Sequence, residues 1–453
     1  KFDLYVFLIC LVIIFLNIYG SGFSDDLDHY HYGFILNANN GNFIWGNSFL
    51  NLLYGTSPVW LTLQSYLNFD FSRLQDIHVT NGLIFFLILG LFISEIRSKK
   101  NLFFYKPYLF LVLIFLLLKY TRLKEFGIDK PATILFCFMI YYYLKYFLNF
   151  DKDNLLPNFI ILFLISISIV LIKITYLPVL FLPFIILAKY RSELIKKDTR
   201  YFFLLIPFLI LIFKNILGTG CIIYPIESSC ISYISWANNS GAGELSILAE
   251  TFNKSWSNYK GDLSEINYIK NFNWLSTWFD RSKIEILEFT LTILLVIFIT
   301  LISFKLNFKN YIINNKKLKL FFYFLMFLII TSICFFFVKN PVLRMNHPTL
   351  ISIMTLSLIL FCESNLKKNN INVIYVFFVL AVSFNLIKNI DRIVDKNFVN
   401  NPYFEINTKI SKPIKKNIDN FTYYIGWYGE TPIGNRDLDN KKHKKMFIFN
   451  IIN

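Results

Sequence analysis

Apolar residues fall in repeated runs of roughly 16–21, divided by polar segments of very unequal length. Runs of that length match the stretch a helix needs to cross a hydrocarbon core. The pattern predicts eleven spans, at residues 4–19, 79–96, 103–119, 131–149, 157–172, 174–189, 201–217, 285–304, 318–338, 348–362 and 372–388. The first run has the length of a signal peptide, but YGSGFS is a weak cleavage site, and it is read as a retained span. Pro178, Pro183 and Pro207 lie inside spans, which packed membrane helices tolerate. Lys173 separates two spans with almost no loop and predicts a tight helical hairpin. The expected fold is an all-α polytopic membrane protein.

Basic residues give the orientation. RSKK at 97–100, the run Lys189 to Arg200, the run Lys305 to Lys319 and Lys367–Lys368 occupy alternate loops and should be cytoplasmic. The long loop 20–78 holds a single Lys or Arg, Arg73, and should be outside. Loop 119–130 runs against this trend, with Lys119, Arg122, Lys124 and Lys130 on the outer side; an anionic lipid headgroup would explain it. The N-terminus is then cytoplasmic. The outer face carries loops 20–78, 218–284 and 339–347. Two parts follow: a transmembrane domain, 1–388, and a polar outer tail, 389–453.

Composition agrees with membrane class. Hydrophobic residues make up 55% and charged residues 16%, against about 25% charged in a soluble domain. That excludes an ordinary soluble globule, a disordered tail and a disulfide-stapled module. The net charge of +16 sits in short clusters between apolar runs, so it marks retained loops rather than a nucleic-acid partner. Cys10, Cys137, Cys334 and Cys362 fall in apolar runs. Cys221 and Cys230 share the loop GCIIYPIESSC, where an outside location permits a disulfide.

The densest chemistry follows the first span. Asp25, Asp26 and Asp28 interleave with His29 and His31 within seven residues. Phe34, Ile35, Trp45, Phe49, Leu50, Leu52 and Leu53 then recur at helical spacing, which predicts amphipathic helices along the outer membrane surface. Ser24-Asp25-Asp26 is also a good helix N-cap, which needs no catalysis. Asp26, His29 and His31 offer ligand types for a divalent cation, at a spacing that is unspecific.

An acid just past the first span, surface helices in the first loop and many spans together resemble the GT-C class of membrane glycosyltransferases, which use lipid-phosphate-linked sugars. More closely, the chain resembles an uncharacterised bacterial branch of GT-C-like membrane proteins. Its Asp-x-x-x-Tyr-His motif is matched by Asp26-Leu27-Asp28-His29-Tyr30-His31. Its Gly-x-Asp-x-Pro-Ala stretch is matched by Gly127-Ile128-Asp129-Lys130-Pro131-Ala132. An aromatic-Pro loop is matched by Gly220 to Pro225 with Trp236, and a late Pro then Arg by Pro341 and Arg344. Gly426 to Pro432 is similar to its C-terminal Pro motif.

The resemblance implies transfer of a sugar from a polyprenyl-phosphate donor to a glycan, lipid or protein acceptor at the outer face of a bacterial plasma membrane. The leaving group is a phosphate, so one carboxylate suffices as general base, whereas glycosidases need two. Asp26 is the first candidate and Asp25 the second. Arg344, with Lys339 and His347 nearby, suits the departing phosphate. The alternative for Arg344 is an interface anchor. His31 and Tyr30 can orient the base or bind sugar hydroxyls, and Asp129 and Lys130 can face the same cavity or form an exposed ion pair. Trp236, Trp256, Trp274 and Trp278 can stack on an acceptor sugar or form an interfacial belt. Competing readings are an O-antigen polymerase or ligase, which places function in late loops, a transporter or flippase of lipid-linked glycans, which expects charges inside spans, and a non-catalytic scaffold.

Overall fold

A computed structural model describes residues 4–19, 26–56, 59–97, 105–147, 155–194, 202–306, Met326, 341–366, 371–395 and 413–452, with short breaks inside the second, third, fourth and last of these ranges. Among the described residues it is mostly helical (74%), with sixteen helices. They are α1 (Leu4–Tyr19), α2 (Tyr32–Asn39), α3 (Leu52–Thr56), α4 (Val59–Tyr66), α5 (Thr80–Arg97), α6 (Tyr105–Lys119), α7 (Asp129–Tyr146), α8 (Leu155–Ile172), α9 (Phe181–Lys189), α10 (Arg191–Leu194), α11 (Phe202–Thr219), α12 (Asn239–Asn253), α13 (Glu265–Tyr268), α14 (Leu275–Ser303), α15 (Leu343–Phe361) and α16 (Ile371–Val394).

Each predicted run coincides with helix except 318–338, which apart from Met326 lies outside the described residues. The run 174–189 is tighter than expected: Ile174–Leu180 is a 3₁₀ segment and only then does α9 begin. The expected count of eleven spans is corrected. Among the described residues, two helices are long and apolar enough to cross a membrane, Thr80–Arg97 and Leu155–Ile172; Leu4–Ile18, Tyr108–Lys119, Ile174–Lys189 and Leu204–Thr219 are apolar but shorter. Polar residues account for part of the difference. The first half of α14 carries Asp280, Arg281, Lys283, Glu285 and Glu288, so helix length there exceeds apolar length.

α6 is the centre of the bundle. It packs against α5, α7, α14, α15 and α16. Its residues Tyr108 to Leu117 are all buried, as expected of a helix that is apolar all round. Tyr108 reaches Cys137 O on α7 (3.3 Å) and Ser352 Oγ on α15 (3.2 Å), which satisfies its hydroxyl in that dry core. Outward faces of α1, α11, α14 and α16 expose large apolar side chains, including Tyr5, Leu205, Phe213, Leu287 and Val379.

The polar tail is not an extended appendage, and the all-α expectation is corrected here. Strands Ile414–Ile418, Phe421–Ile425 and Ile433–Gly434 form one three-stranded sheet. Strands His443–Met446 and Phe449–Ile452 pair antiparallel, and the latter joins Ile44–Trp45 of the first loop in parallel. The tail therefore caps the first loop. Asn37 on α2 donates to Ile433 O and accepts from Ile433 N, both at 2.9 Å. Tyr54 donates to the same carbonyl at 3.1 Å, and Leu50 O accepts from Asn435 N and Arg436 N. The approach is close: a Cβ on Gly434 would stand 2.5 Å from Leu50 O. Gly46 adopts φ +74° beneath Ile452 O, so a side chain there would be both strained and crowded. Asn37→Ala removes both bonds and leaves the buried Ile433 N–H without its acceptor, while Tyr54 still donates to Ile433 O. The variant is expected to lose about 2 kcal/mol of stability and to admit protease to the tail several-fold faster. Thermal unfolding in detergent and limited proteolysis check it.

Loop 218–284 is equally ordered. Cys221 and Cys230 are disulfide-bonded, which resolves the pairing that the sequence left open. The bridge closes a short loop, Gly220 to Ile231, at the foot of α11. Replacing both cysteines by Ala is expected to cost about 2.5 kcal/mol on loop-closure entropy alone. The shift in thermal midpoint, compared with wild type under reducing conditions, measures it.

Candidate functional site

A cavity of about 2100 Å³ lies where the first loop, the α6–α7 connection, the α8 hairpin, loop 218–284 and the tail converge. Its shape follows from local choices. The chain leaves α1, enters a wide helical turn at Leu27–His31 and continues directly into α2. This presents Asp26, His29, Tyr30 and His31 to the cavity. Asn51 Nδ2 donates to His29 O at 3.0 Å and fixes that turn on α3. Lys214 on α11 donates to Gly55 O at 3.1 Å and holds α3 from the other side.

Asp26 is exposed at the cavity wall. It is close enough to Tyr30, His31 and Arg344 for its charge to act on all three. His31 is 1% exposed, and neither ring nitrogen has a hydrogen-bond partner among the described residues. Burial pulls its pKa down to about 4, with Asp26 and Asp129 opposing, so the imidazole is neutral at physiological pH. A neutral imidazole brings one donor and one acceptor to the cavity. The Tyr30 ring stands 4.2 Å from it, edge to face. Burial first, then Asp26 and Asp129, raises the Tyr30 phenol well above its usual value, so it stays protonated.

Asp129 opens α7, where the helix dipole favours an acid. Its Oδ1 pairs with Lys173 and its Oδ2 with Arg344 Nε at 3.1 Å. Burial alone would raise the Asp129 carboxyl; Lys173, then Arg344, outweigh it and hold the carboxyl below the ordinary carboxylate value. Asp129 is thus a fixed anion that orients two cations, not a free base. Arg344 keeps 57% of its side-chain exposure and offers its remaining guanidinium nitrogens to the cavity. Asp129 and Lys130 both line the cavity, and the alternative of an ion pair between them is not the one formed. Adjacent helical residues diverge around the axis, and Lys130 Nζ stands over the Tyr120 ring at 5.8 Å. His347 lines the cavity from α15, stacked on Phe289 at 4.6 Å with Nε2 4.0 Å from Glu285.

The sequence-predicted residues Asp26, Tyr30, His31, Asp129, Lys130, Arg344 and His347 therefore meet in one cavity. Asp25 and Lys339 lie outside the described residues. Among the described residues, no three His, Cys, Asp or Glu side chains are grouped to hold a metal ion. Of the four tryptophans that could form an acceptor platform or an interfacial belt, Trp256 lines the cavity and the other three do not. Trp274 and Trp278 are buried with Tyr268 in a small aromatic core, and Trp236 packs on Trp45 while donating to Ile216 O. Lys173 was legible only as a charge between two apolar runs. Arg436, which makes two bonds to Glu244 at the cavity wall (2.9 and 3.0 Å), carried no signal at all.

The family model described as "Domain of unknown function (DUF8201)" matches residues 1–351. No curated protein and no solved structure matches the chain.

Proposed function

We propose, for this chain, which belongs to the DUF8201 family, a membrane glycosyltransferase of GT-C type that moves a sugar from a polyprenyl-phosphate donor to a glycan, lipid or protein acceptor. One observation carries the reading: motifs separated by more than three hundred residues, from Asp26 to Arg344 and His347, line a single cavity that pairs one exposed acid with a fixed cation. Asp26 takes the proton from the acceptor hydroxyl. The acceptor oxygen forms a bond to the anomeric carbon, the bond from that carbon to the phosphate oxygen breaks, and polyprenyl phosphate departs with inversion. Arg344, held by Asp129 beside Lys173, stabilises the phosphate charge. His31 and Tyr30 hydrogen-bond sugar hydroxyls or hold the base in place.

The exposed apolar faces of α1, α11, α14 and α16 support a lipid-facing perimeter, with α5 and α8, among the described residues, long and apolar enough to cross a plasma membrane. The Cys221–Cys230 bridge supports an oxidising, outer location for the site. The test is transfer from a panel of radiolabelled polyprenyl-phosphate sugars by membranes carrying the protein. Transfer that needs Asp26 supports the reading; transfer undiminished in Asp26→Asn overturns the assignment of the base. Absence of transfer from every donor, with native protein level, counts against the enzyme.

A further inference from the structure

The cavity holds a second basic group, away from the Asp129 cluster in the sequence and on different helices. Arg122 follows α6, and Lys388 and Arg392 lie on the last turns of α16; all three line the cavity. They rest on a built foundation. Asn17 of α1 and Asn385 and Asn389 of α16 are all fully buried. Asn389 donates to Asn17 Oδ1 (2.6 Å), Asn385 to Leu117 O (2.8 Å), and Asn17 to Tyr120 O (3.2 Å). Leu123 N returns to Asn17 O at 3.0 Å. The segment 120–123 is thereby pinned, and Arg392 Nη1 donates to Thr121 O at 2.9 Å, directly beside Arg122. The Arg392 guanidinium is thus held at the cavity wall, which Arg122 also lines. Burial, then the Arg122 charge, pulls Arg392 down to about 10, which reports the closeness of the two cations. Of the α14 acids that line the cavity, Glu288 is matched by Lys119 at 3.3 Å and Glu285 lies 4.0 Å from His347 Nε2.

Below this group the wall is apolar. Leu291 and Leu295 of α14 and Phe384 of α16 line the cavity and are exposed, so they offer apolar surface to a molecule that enters it. Lys388 Nζ lies over the Phe384 ring at 5.5 Å, where apolar wall meets basic group. Charge at one end and apolar surface at the other fit an anionic amphiphile.

We propose that Arg122, Arg392 and Lys388 form a subsite for the phosphate of an anionic membrane lipid, whose acyl chain lies along Leu291, Leu295 and Phe384. Resting on the transferase reading, this is where a phosphate-bearing lipid acceptor sits, since the Asp129–Arg344 cluster serves the donor. The acceptor class is then a phospholipid-like molecule rather than a protein.

The test is lipid retention by the detergent-purified full chain, read by native mass spectrometry with phosphatidic acid and phosphatidylcholine of identical acyl chains. Wild type is expected to retain phosphatidic acid about tenfold more tightly, with the preference falling as salt rises. Arg122→Gln combined with Arg392→Gln is expected to abolish the preference. Lys388→Gln, at an exposed position that does not threaten folding, is expected to reduce it about threefold. Lys270→Gln, exposed and outside the cavity, should leave it intact. Equal retention of both lipids by wild type, or a preference that survives both sets of changes, overturns the proposal. Displacement of phosphatidic acid by an equal concentration of inorganic phosphate overturns the lipid assignment. Retention without transfer from any donor would fail the transferase reading alone; transfer without selective retention would fail this inference alone.

Discussion

Asp26→Asn is expected to lower sugar transfer by about two to four orders of magnitude while leaving the fold intact. The substitution keeps shape and hydrogen-bonding capacity and removes the proton acceptor. Asp26 is exposed, so no buried partner is orphaned and the thermal midpoint should move by no more than about 0.5 kcal/mol of stability. A structural role for the acid, as an N-cap of the turn at Leu27–His31, predicts little loss of turnover in Asp26→Asn, since Asn caps as well as Asp, and a loss of stability of about 1 kcal/mol only in Asp26→Ala. Measuring initial transfer rate and thermal midpoint on the same preparation separates the two. Donor binding is expected to be unchanged, so the effect should fall on kcat and not on KM.

Asp129→Asn is expected to be the most destabilising single change at the site, by about 3 kcal/mol. Lys173 keeps only 9% of its side-chain exposure, and the Asp129 carboxylate neutralises it while also fixing Arg344. Removing that charge leaves a buried ammonium without its counter-ion. Adding Lys173→Met to the variant removes the stranded charge and should restore most of the stability, whereas transfer should stay low because Arg344 has lost its anchor. Recovery of both together would show that Asp129 acts only through Lys173. The acid limb of stability follows from the same pair. The folded-state carboxyl is held below its ordinary value of about 4. A depressed carboxyl contributes stability that is complete above the unfolded pKa and is lost as pH falls through the folded one. Unfolding midpoints for wild type should therefore drop below about pH 4 more steeply than those of the Asp129→Asn, Lys173→Met double variant.

Local signals in the sequence were carried by covalent neighbourhood. The seven-residue cluster from Asp25 to His31 was visible because its members are adjacent in the chain, and a helical turn keeps Asp26, Tyr30 and His31 together. The second motif gave Asp129 but not its partners. Lys173 stands 44 residues away and Arg344 further still, and the α7–α8 and α7–α15 contacts that join them are set by packing of apolar faces that look alike in sequence. For Lys130 the sequence left open a place in the same cavity or an ion pair with Asp129, and helix geometry put its ammonium over the Tyr120 ring.

The sequence by itself determined where helices form and which loops are polar, because apolar run length and the placement of Lys, Pro and Gly act over one or two turns. It also located the acid of the proposed site. Only the tertiary structure decided the rest. The tail returns across about 400 residues to add Phe449–Ile452 beside Ile44–Trp45, and Asn37 meets Ile433. Three buried asparagines on α1 and α16 pin the Arg122 segment. Such polar contacts have no periodic signature, since each needs one correctly placed partner and not a pattern. Their geometry exists only after apolar packing has brought distant helices into register, and the buried groups are then held because leaving them unpaired would cost more than the ordering they require.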